Sequence, residues 1–469
     1  MRKTALVAAA ALAGSVPLAQ AEVRPNPLFS DNAVLQQGRE VPVWGTARSG
    51  EKITVEIAGQ RATATAEQGR WMVHLKPLRA GGPHVLTIRG DNTVRARNVL
   101  VGDVWICSGQ SNMQWPVSAS ANAQEMIASS ADPQLRLLTV PREGADIPRT
   151  EVAVKWDIAG PSTVPGFSAV AFAFGQHLRK HRRVPVGLIN TSYGGTPAEA
   201  WTSREALRAV PELTHYLLQG NRRNDPGRPT ALYNAMIAPL IPYAISGAIW
   251  YQGESNADRA WEYRTLFPTM IQNWRRDWGQ GDFPFLFVQL APFMKIQPEP
   301  MESAWAELRD AQLYTSQTVP NTAMAVIVDV GDETDIHPKA KQPVGERQAL
   351  AARALAYGEH IPWSGPVVAG VQRLRDRIRI RFKHTYGGLT TGGQEPAGFT
   401  IAGANGRFRN ARALVHGDTV TVWSENVPRP REVRYGWANY PVVNLRNGAG
   451  LYASPFRTDR RPYTTMARR

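Results

Sequence analysis

Hydrophobic and polar positions follow three successive patterns along the chain, and each pattern predicts a different kind of structure. Residues 22–101 contain short stretches in which apolar and polar residues alternate, as at 53–57 and 71–75. Turns containing glycine and proline separate these stretches at regular spacing. Such alternation is typical of half-buried strands, so it predicts an N-terminal β-sandwich module.

Residues 102–361 instead combine continuous apolar runs with segments of helical periodicity, such as 167–178 and 263–274. Buried strands that alternate with amphipathic helices predict a parallel sheet covered on both faces. We therefore expect an α/β domain here. The predicted strands are Asp103–Cys107, Leu135–Val140, Val186–Asn190, Ser246–Tyr251, Phe285–Leu290 and Thr322–Val330.

From residue 362 the pattern returns to short alternating strands, which predicts a C-terminal β-rich module over 362–469. Arginines at every second position from 373 to 381 indicate one solvated face of a strand. The last residues, 459–469, are basic and predict a mobile tail.

The first 21 residues have the composition of a signal peptide. Arg2 and Lys3 precede an apolar run at 5–13, and Ala19-Gln20-Ala21 is a small-x-small cleavage site. The run is too short for a transmembrane anchor, and no later stretch is apolar enough to span a bilayer. We expect export to a secreted or periplasmic location after cleavage near Ala21.

The charge of the chain narrows its possible partners. It carries 54 Lys and Arg against 39 Asp and Glu, a formal net charge of +15. The positive residues are scattered rather than clustered, which favours a basic surface, compatible with an anionic substrate, over a nucleic-acid interface. The single cysteine, Cys107, excludes an intrachain disulfide and is interpreted as a small core residue.

A serine with potential chemistry, Ser111, follows the first predicted strand of the α/β domain in Gly109-Gln110-Ser111-Asn112-Met113. The carboxyl ends of such strands are where open α/β sheets bind ligands. Serine is a weak nucleophile without a nearby base, so this motif taken alone favours an ordinary turn after a strand.

Three later turns, also after predicted strands, supply what a serine nucleophile needs. Gly194 and Gly195 allow close approach of backbone N–H groups to a ligand. Gln252 is an amide that can donate to an oxyanion, whereas Glu254 beside it is interpreted as a capping or salt-bridging carboxylate. In the last turn, a carboxylate two positions before His337 can orient the ring as a base.

That last turn has one alternative interpretation, a metal site. The four possible ligands are Asp329, Asp332, Asp335 and His337. The set lacks a second histidine or a cysteine, so a metal site is the weaker hypothesis.

Together these turns make the sequence resemble the sialate O-acetylesterases, a branch of the SGNH (GDSL-like) hydrolases. The resemblance covers nearly the whole chain after the predicted signal peptide. The matching segments are 109–113 (GQSNM), 194–201 (GGTPAEAW), 250–256 (WYQGESN), 335–338 (DIHP), 435–439 (YGWAN) and 453–457 (ASPFR).

The resemblance implies a flavodoxin-like domain, a serine acyl-enzyme mechanism and removal of acetyl groups from sugars, with no cofactor and no metal. Ser111 is then the nucleophile and His337 the base. The oxyanion donors are the N–H of Ser111, an N–H of the Gly194-Gly195 pair and Gln252.

The acid of the triad departs from the pattern, since many SGNH hydrolases have two residues between the acid and the histidine. Here Asp335 and His337 have one between them, and the residue that would match is Thr334. Asp335 is the preferred acid and Asp332 the second choice, and a Ser–His dyad with a backbone carbonyl is a third possibility.

The predicted substrate is an O-acetylated sugar or glycan, with O-acetylated sialic acid preferred. Two alternatives stay open at this point. One is the same chemistry on plant cell-wall polysaccharide such as xyloglucan or xylan, because fold and triad do not select the sugar. The other is a glycan-binding protein without catalytic activity.

Overall fold

The N-terminal module consists of two facing sheets. A computed structural model describes residues 22–218 and 225–468, so the predicted signal peptide lies outside the described residues. One sheet has the order β1-β3-β6, and the other joins β2, β4, β5 and β7 to β8. The strands are β1 (Arg24–Pro25), β2 (Val34–Gln36), β3 (Val41–Thr46), β4 (Lys52–Ile57), β5 (Gln60–Thr65), β6 (Arg70–Leu75), β7 (Gly81–Arg89) and β8 (Thr93–Gly109).

Strand β8 connects this module to the α/β domain without a break. Its first half pairs with β2 and β7, and its second half, entirely buried, lies in the middle of the central sheet. The predicted boundary after residue 101 therefore falls inside one continuous strand. The remaining central strands are β9 (Asp132–Thr139), β10 (Trp156–Ala159), β11 (Val186–Ser192), β12 (Gly247–Tyr251), β13 (Phe285–Val288) and β14 (Thr322–Ala325).

The central sheet has the order β10-β9-β11-β8-β12-β13-β14. Every neighbouring pair in it is parallel except β10 with β9. Most predicted central strands recur within a few residues, and β8 extends well beyond its predicted length. The carboxyl ends of β8, β11, β12 and β14 point to the same edge, which brings their turns together.

Helices cover both faces of this sheet and form a three-layer α/β/α domain, which confirms the predicted fold class. Helices α3 and α7 share one core with Trp105, while α5 and α6 share the other with Trp250. In the described part of the chain, no helix is both long and apolar enough to span a membrane. The helices are α1 (Ser111–Gln114), α2 (Ala123–Ala128), α3 (Ala169–Arg182), α4 (Arg204–Ala209), α5 (Ala260–Trp278), α6 (Ala304–Thr318) and α7 (Gln342–Leu355).

The C-terminal module is built from antiparallel sheets of short strands. The larger sheets have the orders β15-β16-β21-β20 and β19-β18-β22-β24, and β17 pairs with β23. The strands are β15 (Val367–Arg373), β16 (Ile378–Lys383), β17 (Leu389–Thr390), β18 (Phe399–Ala402), β19 (Arg409–Asn410), β20 (Arg412–His416), β21 (Thr419–Trp423), β22 (Glu432–Tyr435), β23 (Arg446–Asn447) and β24 (Phe456–Arg457).

The end of the chain differs from the mobile tail that its composition predicts. Tyr463 is buried, and Thr464 and Thr465 donate backbone and hydroxyl hydrogen bonds to the buried carboxylate of Glu307 on α6. A buried carboxylate needs such donors. The segment therefore packs on the α/β domain instead of extending into solvent.

Candidate active site

Ser111 lies where β8 leaves the sheet, and a glycine makes this position possible. Gly109 has φ +137°, and a Cβ built on it would lie 2.1 Å from the carbonyl oxygen of Tyr251 on β12. Only glycine allows the two strands to stay paired up to this point. The chain then turns at Gln110 and begins α1 at Ser111, so the N–H of Ser111 has no partner within its own helix.

The side chain of Gln110 ties the serine turn to the neighbouring turn after β12. Its Oε1 accepts hydrogen bonds from the N–H groups of Gly253 and Ser255, both at 3.3 Å. The residue is buried, so these bonds form away from solvent. The position of Ser111 is thus set by the sheet and by the adjacent turn together.

His337 comes to Ser111 from the loop after β14. The ring Nε2 lies 2.9 Å from the Ser111 Oγ, a hydrogen-bond distance. The indole of Trp115 stacks on the imidazole, with centroids 5.1 Å apart and planes 18° from parallel. The imidazole is therefore within hydrogen-bond reach of Ser111 and is held flat against an aromatic ring.

Asp335 contacts both the ring and the backbone of His337. Its Oδ1 lies 3.4 Å from the ring Nδ1 and accepts the His337 N–H at 2.8 Å. The carboxylate is 41% exposed, so solvent weakens its electrostatic effect. Asp332 has another role, since its Oδ1 accepts hydrogen bonds from Thr334 and from the N–H of Asp335, which caps the turn.

Asp329, one of the four residues of the alternative metal site, has a different partner. Its two carboxylate oxygens each accept a hydrogen bond at 2.6 Å from Arg347 on α7. This bidentate pair anchors the beginning of the loop to the helix layer. The carboxylates of Asp329, Asp332 and Asp335 therefore have three different sets of partners.

The environment of His337 favours its neutral form. Partial burial lowers the pKa of the ring from its usual 6.5, and the charge of Lys341 lowers it further, while Asp335 acts in the opposite direction. A base must be unprotonated before it can accept a proton, so this shift extends the active form of His337 to lower pH.

The two glycines of the turn after β11 occupy different positions. A Cβ built on Gly194 would lie 3.2 Å from the Ser111 Cβ, so the backbone there closely approaches Ser111. The N–H of Gly194 donates to Gln114 Oε1 at 2.7 Å. Gly195 is exposed, with φ +73° and open space where its side chain would be. Gly194 is therefore the glycine that faces Ser111.

Gln252 is not placed as an oxyanion donor, in contrast to the sequence-based prediction. It is fully buried, and its Nε2 donates to the Thr196 carbonyl and to Asn256 Oδ1, at 3.3 and 2.7 Å. Its Oε1 accepts from Tyr263 at 3.0 Å. Through these bonds the Gln252 amide holds the turn of Gly194 and Gly195 in place, and it is not directed at Ser111.

Sequence reasoning also missed residues that surround the serine and the histidine. Asn112 and Lys341 are buried and hydrogen-bonded to each other, and Glu254 accepts a further bond from Asn112 at 2.7 Å. Glu254 therefore belongs to a buried network rather than to a simple helix cap. Asn112 could have been noticed in the sequence because it directly follows Ser111. Nothing in the sequence distinguishes Lys341 from a solvent-exposed lysine.

A serine hydroxyl and an imidazole meet here at the carboxyl edge of a parallel sheet covered by helices on both faces. Fold and site together define an α/β serine hydrolase. More particularly, the chain belongs to the family described as carbohydrate esterase, sialic acid-specific acetylesterase, which matches residues 101–354. It is a carboxylic ester hydrolase.

Relatives with established descriptions support this assignment. The chain is 34% identical to the sialate O-acetylesterase of Homo sapiens over 369 residues, covering 71% of each chain. It is 34% identical to the Mus musculus sialate O-acetylesterase over 397 residues, covering 71% of this chain and 73% of the other. A crystal structure of a carbohydrate acetylesterase from Xanthomonas citri superimposes with a TM-score of 0.88 at 40% identity, covering 94% of this chain and 100% of that one.

Proposed function

We propose that this protein removes O-acetyl groups from sugars, O-acetylated sialic acids in the first place, through an acetyl-enzyme formed on Ser111. The observation that carries the proposal is the 2.9 Å contact between Ser111 Oγ and His337 Nε2. This contact also favours an enzyme over a glycan-binding protein without activity, since a binding role does not need it.

In the first half of the reaction, Ser111 Oγ attacks the acetyl carbonyl carbon while His337 Nε2 accepts the hydroxyl proton. The carbonyl oxygen becomes an oxyanion, which the N–H groups of Ser111 and Gly194 stabilise. The N–H of Gly194 donates to Gln114 Oε1, so its contribution to the oxyanion requires this bond to be exchanged for one to the substrate. His337 then returns the proton to the departing sugar oxygen, and the bond between the acetyl carbon and that oxygen breaks.

In the second half, water attacks the acetyl carbon of the ester on Ser111. His337 again accepts the proton and returns it to Ser111 Oγ as acetate leaves. Asp335 stabilises the positive ring during both halves through its 3.4 Å contact with Nδ1. Asp335 is therefore the acid we assign, with Asp332 as the residue that shapes its turn.

Two considerations support sialic acids as the substrate class. The mammalian relatives are named sialate O-acetylesterases. Sialic acids carry a carboxylate, and a protein of formal net charge +15 attracts anionic substrates. The Xanthomonas citri relative is described more broadly as a carbohydrate acetylesterase, so acetylated cell-wall polysaccharide is the second candidate.

The predicted signal peptide leads us to propose a secreted or periplasmic location.

Acetate release from a matched panel tests the proposal. The panel contains O-acetylated sialic acids, acetylated xylan and acetylated xyloglucan, each with wild type and Ser111→Ala. We expect release from the sialic acids, at a higher kcat/KM than from the polysaccharides, and none with the variant. Preference for a polysaccharide would select the second candidate. No release from any substrate would refute the proposed function.

A further inference from the structure

Asn112 joins the turn that carries the nucleophile to the turn that carries the base. Its Nδ2 donates to the carbonyl oxygen of Ile336 at 3.0 Å and to Glu254 Oε1 at 2.7 Å. Asn112 directly follows Ser111, and Ile336 directly precedes His337. One buried amide therefore bonds the two backbones next to the two reacting side chains.

Lys341 completes the hydrogen bonding of this amide by donating from Nζ to Asn112 Oδ1. It lies just before α7 and is 1% exposed. Its Nζ is 5.6 Å from the ring centroids of both Trp115 and Tyr251, within the range of cation–π attraction. Trp115 is also the ring that stacks on His337. The ammonium and the imidazole thus contact the same indole.

Two carboxylates, Glu254 and Asp335, are the acidic groups whose charges act on Lys341. Burial lowers the pKa of Lys341 to about 7, against the opposite effect of these carboxylates. Burial raises the pKa of Glu254, while Asn112 and Lys341 favour its ionised form. Glu254 Oε2 is buried and has no hydrogen-bond partner among the described residues, so only Oε1 ties this carboxylate to the network.

We propose that Asn112, Glu254 and Lys341 act as one buried positioning unit, which holds the histidine turn on the serine turn and keeps His337 neutral at mildly acidic pH. The inference rests on the proposed function, because it assigns these residues an effect on the Ser111–His337 reaction. None of the three is assigned a contact with the reacting atoms.

Two opposing charges therefore act on the His337 ring. Lys341 disfavours its protonation from the buried side, and Asp335 favours it from the exposed side. Removal of Lys341 should raise the pH at which activity is lost on the acidic side. Removal of Asp335 should lower it. A residue with a purely structural role would change the rate without moving this midpoint.

The test is the pH profile of kcat/KM on p-nitrophenyl acetate for wild type, Lys341→Met and Lys341→Arg. A single nearby charge changes a pKa by roughly half a unit to one unit in a partly solvated site. We expect the acidic midpoint of Lys341→Met to rise by about that amount and that of Lys341→Arg to stay near wild type. Lys339→Met is the matched control, since Lys339 is exposed two residues away.

Asn112→Ala tests the first part of the proposal, that the unit holds the histidine turn on the serine turn. Loss of the bond to the Ile336 carbonyl should lower kcat at pH 8 by at least about tenfold, with KM nearly unchanged, because the Ser–His geometry loosens. If Lys341→Met does not fold, Lys341→Gln replaces it with the same expected shift. An unchanged midpoint in the folded variant, or wild-type kcat in Asn112→Ala, would overturn the inference.

Ser111→Ala in the same assay separates this failure from failure of the proposed function. If the serine variant is inactive while the Lys341 and Asn112 variants behave as wild type, only the positioning unit is refuted. If the serine variant keeps wild-type activity, the proposed function itself is wrong and the positioning unit falls with it.

Discussion

Replacement of Asp335 by asparagine measures how much this half-exposed carboxylate contributes to the reaction. The change keeps the size of the side chain and removes its charge. During the reaction His337 becomes positive, and the lost attraction then acts on the transition state but not on the neutral free enzyme. The variant should therefore lower kcat more than it raises KM.

The geometry sets the expected size of this effect. For unit charges 3.4 Å apart, with an effective dielectric constant of about 40 for a partly solvated pair, Coulomb's law gives about 2.4 kcal/mol, or roughly 60-fold in rate. This is far below the loss of about 10⁴ found when the buried acid of a serine protease triad is neutralised. The expected loss of rate is also larger than the loss that a Ser–His dyad without an acid would predict.

The assay is the initial rate of acetate release at pH 8, where His337 is neutral in both proteins and only transition-state stabilisation differs. Asp332→Asn is the matched control, because Asp332 caps the same turn without the ring contact described for Asp335. We expect a loss of about 60-fold for Asp335→Asn and a small effect for the control. Wild-type activity in Asp335→Asn would refute the reasoning, and a larger loss in the control would transfer the role to Asp332.

Three further outcomes follow from the same geometry. Ser111→Ala should lower acetate release by at least about 10⁴-fold with an unchanged melting temperature, and retention of a tenth of the activity would contradict its role as nucleophile. The acidic midpoint of kcat/KM should lie below 6.5, since the pKa of His337 is lowered, and in Asp335→Asn it should move lower still; an upward movement would contradict the assigned charges. Arg309→Leu should reduce the free energy of unfolding in urea by about 3–5 kcal/mol, because four backbone carbonyls each lose a hydrogen bond and those of Leu290 and Ala438 are left without a donor among the described residues, and a loss under about 1 kcal/mol would contradict this.

The sequence was sufficient to predict that Ser111 and His337 meet, although 226 positions separate them. Strands that alternate with helices predict a parallel sheet, and parallel strands deliver their following turns to one edge. The order of the elements and the residue types after each strand are sufficient for this prediction. Side-chain orientations do not enter it.

Gln252 and Lys341 show where this kind of reasoning stops. The amide of Gln252 turns inward because Thr196, Asn256 and Tyr263 surround it with hydrogen-bond partners. Thr196 lies on the turn after β11 and Tyr263 on α5, so the orientation depends on tertiary contacts. The burial of Lys341 likewise depends on Asn112 and on two aromatic rings distant in the chain, Trp115 at the end of α1 and Tyr251 on β12. Neither environment leaves a periodic signal in the chain.

The C-terminal module takes part in holding the loop that carries His337. The guanidinium of Arg309 on α6 is buried and bonds the carbonyls of Leu290 and Ala291 as well as those of Ala438 and Asn439. Asn439 in turn accepts the N–H of Phe293 at 3.3 Å, and Phe293 forms a β-bridge with Asp332.

A continuous set of hydrogen bonds therefore runs from the C-terminal module to Asp332, and Asp332 caps the turn of Asp335 and His337. A site that needs the histidine within hydrogen-bond reach of Ser111 requires this loop in one conformation. The C-terminal module thus helps to fix the loop that places His337 beside Ser111. For this reason the α/β domain and the module that follows it are joined into one structural unit at this loop.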